Sequence, residues 1–150
     1  MIVELDQNLL RDWILRYELA SFIVERRMHA KVRDLMSEDL TVEQFKTLRF
    51  LKHKQTSTAS ELSEIFCVGK SSITAIITRL SDKGLIQRVP EEKDRRVINL
   101  MLTEEGNRIC EELEERVQAI LEEVIQHFDT KEATAFIETY EKLADSFVKS

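Results

Sequence analysis

Residues 69 to 84 constrain the fold of this chain more than any other stretch, because one short segment carries two contrasting surfaces. Ile73, Ile76, Ile77 and Leu80 recur at i, i+3, i+4 and i+7, a single apolar stripe on an α-helix. Gly84 supplies the left-handed conformation that ends helices, and Lys83 sets a cation where the helix dipole is negative. The opposite face holds Ser71, Thr74, Ala75 and Thr78, flanked by Ser72 and Arg79. A solvated helix face ordinarily carries long charged side chains. This one is short and rich in hydroxyls, so another surface can approach it closely. A helix gripped on one side and small and polar on the other suits the major groove of DNA.

Gly69-Lys70-Ser71 resembles the end of a phosphate-binding loop, but that motif needs a glycine five positions earlier, where Glu64 stands. A nucleotide site does not follow. With 3 Gly and 1 Pro in 150 residues, helices are favoured over an all-β architecture. The N-terminus, Met1 to Asp6, lacks the basic and apolar regions of a signal peptide, and no apolar run reaches bilayer-spanning length. Two isolated thiols, Cys67 and Cys110, are not a disulfide framework and agree with a reducing, cytoplasmic location. The net charge of −6 argues against a nucleic-acid partner until its distribution is considered. Residues 67–100 carry +3 and residues 101–150 carry −8, so the positive third contains the helix just described. Local sign matters more than total charge, because screening limits the reach of distant carboxylates to about 8–10 Å.

Taken in order, residues 6–36 read as one long helix whose wide apolar face includes Leu9, Trp13, Tyr17, Ile23, Val24 and Met28. That face exceeds what a small domain can cover and is expected to be shared with another subunit. Thr41 to Gln44 has the form of a capping box, opening a helix to about Lys54 that buries Phe45, Leu48 and Leu51. Thr56 and Ser57 break the helix, with room for a residue or two of strand. Thr58 to Glu61 forms a second capping box, opening a short helix with Leu62, Ile65 and Phe66 inward. Cys67-Val68-Gly69 is the turn before the two-faced helix, so the pair makes a helix-turn-helix. Leu85, Ile86 and Val89 begin a strand that Pro90 ends, and Val97, Ile98, Leu100 and Leu102 return it. Thr103 caps a helix to about His127, and a last helix from about Lys131 to Val148 carries Phe136, Tyr140, Leu143 and Phe147. The expected fold is mainly α with a small β-hairpin wing. At the wing, Asp94-Arg95-Arg96 lets one arginine face DNA while the other pairs with Asp94 and stiffens the loop; a solvated charged hairpin is the plain alternative.

The chain resembles the MarR family of bacterial transcriptional regulators through Glu61-Leu62-Ser63, Lys70 to Thr74, Arg79-Leu80, Lys83 to Ile86, and Asp94-Arg95-Arg96. Leu100, Leu102, Thr103 and Gly106 complete the match. The resemblance covers essentially all of residues 1–150 as one domain. It implies a winged helix-turn-helix over about 41–102, flanked by dimerisation helices over about 6–36 and 104–148. It implies an obligate homodimer, with Leu9, Trp13, Phe136, Tyr140, Leu143 and Phe147 at the interface. It also implies a double-stranded DNA partner, probed by Lys70, Ser71, Ser72, Thr74, Ala75, Thr78 and Arg79 in the major groove and by Arg95 and Arg96 in or beside the minor groove. A small-molecule effector acting between dimerising helices and winged domain would be phenolic or lipophilic, given Trp13 and Tyr17.

Other constellations are sparse. His29, His53 and His127 are the histidines; Glu25 and His29 stand at i, i+4 without a further ligand nearby, so no metal site is expected. Cys67 precedes the two-faced helix, whose positive end favours a thiolate, but its apolar neighbours Phe66 and Val68 favour a packed thiol. Peroxide-sensing relatives carry their reactive cysteine near the N-terminus, and this chain has none before Cys67. No catalytic triad or cofactor loop is present, so neither an enzyme nor a cofactor is expected. The reading is a dimeric DNA-binding repressor; the rivals are a redox or metal sensor of the same fold and a winged-helix protein-interaction module without DNA.

Overall fold

The computed structural model describes residues 4–37 and 39–150. Met1 to Val3, part of the terminus read above for a signal, lie outside the described residues. The elements are α1 (Gln7–Leu35), α2 (Val42–Lys54), α3 (Ala59–Ile65), α4 (Lys70–Asp82), β1 (Ile86–Pro90), β2 (Ile98–Leu102), α5 (Glu104–Ile125) and α6 (Thr130–Lys149). They fall into two units, Met1–Leu113 and Glu114–Ser150, with the division inside α5.

In the first unit α1, α2, α3 and α5 begin where a side chain accepts an orphan N–H group. Thr41 and Gln44 form the reciprocal capping box of α2, with Thr41 Oγ1 accepting from Gln44 N at 3.1 Å and Gln44 Oε1 from Thr41 N at 3.2 Å. Thr58 Oγ1 accepts from Glu61 N, but the return arm is not made: the Glu61 carboxylate accepts instead from the hydroxyls of Thr58 and Ser57. The core unites α2, α3, α4 and the hairpin. Leu48, Leu51, Leu62, Ile73, Leu80 and Leu100 are each at most 2% exposed, and burial of each contributes ~1.5–3 kcal/mol. Ser57 is a one-residue strand, exchanging backbone hydrogen bonds with Leu100 at 3.2 and 2.8 Å and closing the inner edge of the wing.

Helices α3 and α4 end in the same way. At α4, Gly84 has φ 73°, Gly84 N donates to Ser81 O, and Leu85 N donates to Leu80 O. At α3, Cys67 has φ 53°, Cys67 N donates to Glu64 O, and Val68 N donates to Ser63 O. Both are Schellman motifs, and the second places a cysteine where glycine is the usual residue. Behind the wing, Thr103 caps α5 through Gly106 N and donates its hydroxyl to Gly84 O at 2.6 Å. Gly106 lies so close to β1's start that a Cβ there would stand 1.9 Å from the carbonyl oxygen of Leu85.

Two expectations about packing are corrected. Ile65 does not turn inward but is 55% exposed, and Phe66 is half-buried, its ring edge-on to Phe50 at 6.0 Å. A helix of seven residues has little more than one inward position, and Leu62 fills it. Cys67 is not packed by its apolar neighbours: the positive φ carries it out to solvent, whereas Cys110 is fully buried.

In the second unit, Asp129 caps α6 by accepting from Glu132 N at 2.8 Å. None of its side chains is buried. Phe136, Ile137, Tyr140 and Phe147 are all more than half exposed, with the rings of Phe136 and Tyr140 stacked at 5.3 Å. In the first unit α1 shares this property: Leu9, Trp13, Ile14, Leu15, Tyr17, Leu19, Phe22, Ile23 and Val24 are exposed, and Val32 alone among its described side chains is buried. No helix among the described residues is long and apolar enough to cross a membrane.

Candidate nucleic-acid interface

Helix α4 presents its two surfaces as the sequence pattern requires. Ile73, Ile77 and Leu80 are buried and Ile76 is half-buried, while Lys70, Ser71, Ser72, Thr74, Ala75, Thr78 and Arg79 are all exposed. Gly69 offers no side-chain cap, and the first turn holds no acid. The N–H groups of that turn are therefore available to an outside acceptor such as a phosphate. Thr74 donates its hydroxyl to Lys70 O at 2.7 Å. Its only remaining capacity outward is to accept a hydrogen bond or to offer its methyl group, which suits an exocyclic amino group or a thymine methyl.

The wing divides its arginines. Arg96 pairs with Asp94 through Nε–Oδ1 at 3.1 Å and a second guanidinium nitrogen at 3.3 Å, and its backbone N–H donates to the same carboxylate at 3.1 Å. The Arg96 side chain, then its N–H, holds the Asp94 carboxyl below the usual carboxylate range. Because the folded value is the lower one, this pinch is present above the ordinary carboxylate pKa and is lost only as pH falls through the lowered value. Arg95 is exposed and has no partner among the described residues, leaving its guanidinium for another molecule. Arg88, a residue not singled out from the sequence, joins β1 to α4 by donating to Ser81 Oγ at 3.1 Å. Lys83 likewise reaches Gln44, 39 positions away, at 3.0 Å.

The remaining candidate sites separate clearly. Among the described residues no group of three or more His, Cys, Asp or Glu side chains stands close enough to hold a metal. Cys67 is open to solvent, its Sγ 3.6 Å from Glu64 O, while Cys110 is closed off. Trp13 and Tyr17 lie one turn apart on α1, each about half exposed. The Glu105–Arg108–Glu112 chain on α5 is a surface network: Arg108 lowers the Glu105 pKa, and its own is raised by that contact.

The MarR family model matches residues 40–98, from just before α2 into the wing's return strand. The chain is also 31% identical to the HTH-type transcriptional repressor MdtR of Bacillus subtilis, over 77% of this chain and 74% of that protein. It belongs to the MarR family. Among solved MarR structures, a family protein from Bacillus stearothermophilus superposes with a TM-score of 0.79, at 24% identity over 96% of this chain and 99% of the other. A mutant MarR from E. coli complexed with operator DNA superposes with a TM-score of 0.72, at 25% identity over 88% and 96%. The expected fold, mainly α with a β-hairpin wing, is thus the winged-helix fold of the family.

Proposed function

We propose that this MarR-family chain is a homodimeric repressor that binds a pseudo-palindromic operator in duplex DNA, in the cytoplasm where the chromosome lies. The observation that carries the reading is the exposed face of α4 from Lys70 to Arg79: hydroxyls, one small methyl and cations, with no large apolar residue and with the helix's one acid, Asp82, confined to its last residue. A protein-docking helix would need apolar anchors there. The recognition helix enters the major groove with Ser71, Ser72, Thr74, Ala75 and Thr78 against base edges, and Lys70 and Arg79 against the backbone. Arg95 serves the minor groove or its phosphates, and Arg96 keeps the loop in shape through Asp94. Support for two copies comes from α1 and α6, whose exposed Leu9, Trp13, Phe136, Tyr140 and Phe147, with half-buried Leu143, form apolar surface that a monomer would leave wet. Two-fold symmetry then sets half-sites about one helical turn, ~10 bp, apart. Any small-molecule effector releases DNA only by its differential affinity for the binding and non-binding conformations.

The test is a titration against the duplex that the protein selects from a random library, and against a scrambled duplex, at two salt concentrations. Arg95→Ala weakens both and lowers the salt slope by about one counterion unit. Thr74→Ala or Thr78→Ala erodes discrimination between the two duplexes by ~1–3 kcal/mol. A silent Arg95→Ala removes the wing from the interface. Failure to select any duplex leaves the protein-interaction reading in possession.

A further inference from the structure

Gln44 is more deeply buried than its capping duty requires. An acceptor at this position satisfies Thr41 N–H equally well from a solvated surface, yet Gln44 is 3% exposed and its Oε1 takes a second donor, Lys83 Nζ at 3.0 Å. Lys83 is the C-cap residue of α4. The bond thus joins the first turn of α2 to the end of the recognition helix. The apolar stripe of Ile73, Ile77 and Leu80 resists separation of α4 from the core but, being non-directional, limits its swing and rotation less sharply than a hydrogen bond does.

We infer that Gln44 is a positioning residue for DNA recognition, acting through Lys83 to fix the angle at which α4 is presented. The lever is long. Ser71 lies twelve residues before Lys83, about 18 Å along the helix at ~1.5 Å per residue. A swing of ~10° at the Lys83 end displaces Ser71 by ~3 Å, the length of a hydrogen bond. Base contacts are lost by such a shift, whereas phosphate contacts through long, flexible side chains adapt to it. The tie therefore governs discrimination more than general affinity. This rests on the DNA-binding reading above.

The experiment compares the parent with Lys83→Met, Gln44→Leu, Gln44→Glu and the Lys83→Met/Gln44→Leu double variant. Fluorescence anisotropy is read on the duplex that the parent selects and on a scrambled one, at two salt concentrations. Each loss of the tie is expected to lower affinity for the selected duplex about tenfold and for the scrambled duplex less than about twofold, with unchanged salt slope. The double variant should be no weaker than the weaker single one, because both remove one bond. Gln44→Glu keeps an acceptor for both donors and should restore the parent's discrimination. Lys83→Met leaves the capping box of α2 intact, so it decides the matter even if Gln44→Leu fails to fold. Equal weakening on both duplexes with a salt slope lower by about one would make Lys83 a phosphate contact and overturn the inference. Additive losses, or parent-like discrimination in Lys83→Met, would overturn it too. A parent that selects no duplex refutes the DNA reading and this inference together; a binding parent beside unaffected variants refutes the positioning alone.

Discussion

The stretch from α2 to the start of α5 and the two long helices α1 and α6 are both rich in apolar residues and use them oppositely. In the first, Phe45, Leu48, Leu51, Leu62, Ile73, Leu80 and Leu100 turn toward one another and are removed from water. In α1 and α6 the aromatic residues Trp13, Phe22, Phe136, Tyr140 and Phe147 remain about half exposed or more. Amphipathic periodicity alone does not distinguish the cases, since α6 is as strongly two-faced as a core helix. The difference is whether the chain itself supplies the opposing surface. If a second copy supplies that surface, as proposed above, the stability of one region is a property of the single molecule and that of the other depends on protein concentration.

The largest expected effect comes from removing the region that lacks its own cover. Deleting residues 129–150 takes away Phe136, Tyr140, Leu143 and Phe147, each contributing ~1.5–3 kcal/mol where a second copy buries it. The truncated chain is expected to sediment as a monomer or to aggregate, and to lose affinity for the selected duplex. A truncated dimer of full affinity in analytical ultracentrifugation and gel shift would erase the contrast. A milder form, Phe136→Asp, should give concentration-dependent dissociation while leaving the helical content of the winged region unchanged.

Next in size is a single methyl group in the self-contained region. Gly106→Ala would place its Cβ 1.9 Å from Leu85 O, and a backbone atom cannot step aside as a flexible side chain does. A loss of ~3 kcal/mol is expected, at the upper end for overpacking. It should appear as a lower denaturation midpoint that does not change with protein concentration, in contrast to Phe136→Asp. A Gly106→Ala protein as stable as its parent would mean that α5 and the start of β1 are less tightly joined than the geometry shows.

The same contrast explains what could be read from the residues beforehand. Local devices were legible: the stripe of α4, the capping box of Thr41 and Gln44, the hairpin, and the pairing of Asp94 with one of two arginines. Which arginine pairs was not legible, because it depends on loop geometry; it is Arg96. The outward Ile65 is not legible because the short α3 offers two periodic positions and only tertiary packing chooses between them. Local spacing offers Lys83 only the helix dipole, and its acceptor, Gln44, is hidden in the sequence because the contact spans 39 positions. Gly106 was visible as a glycine, but the carbonyl it must clear belongs to another element. The roles of Leu9, Trp13 and the α6 aromatics remain a proposal, because their expected partner is a second molecule.

The smallest effect tests how much strain the self-contained region carries at the entrance to α4. Cys67 and Gly84 occupy the same place in two Schellman motifs, at φ 53° and 73°. A side chain in the left-handed region costs on the order of 1–3 kcal/mol, and glycine's greater freedom in the unfolded chain returns about 0.4–1 kcal/mol of that. Cys67→Gly should therefore stabilise the protein by about 1 kcal/mol, and Gly84→Ala should destabilise it by about 1–2 kcal/mol. Both are read from denaturant midpoints at unchanged slope. The cysteine is tolerated because the hydrogen bonds of Cys67 N and Val68 N, together with buried Leu62 and Ile73 on either side of the turn, over-determine its backbone. The stabilised Cys67→Gly variant should bind the selected duplex as the parent does, since the turn already holds the geometry that glycine prefers. If it bound less well, the cysteine side chain itself, and not the turn it occupies, would contribute to the interface. If it were less stable than the parent, the exposed thiol would be making a contact that offsets the cost of its backbone.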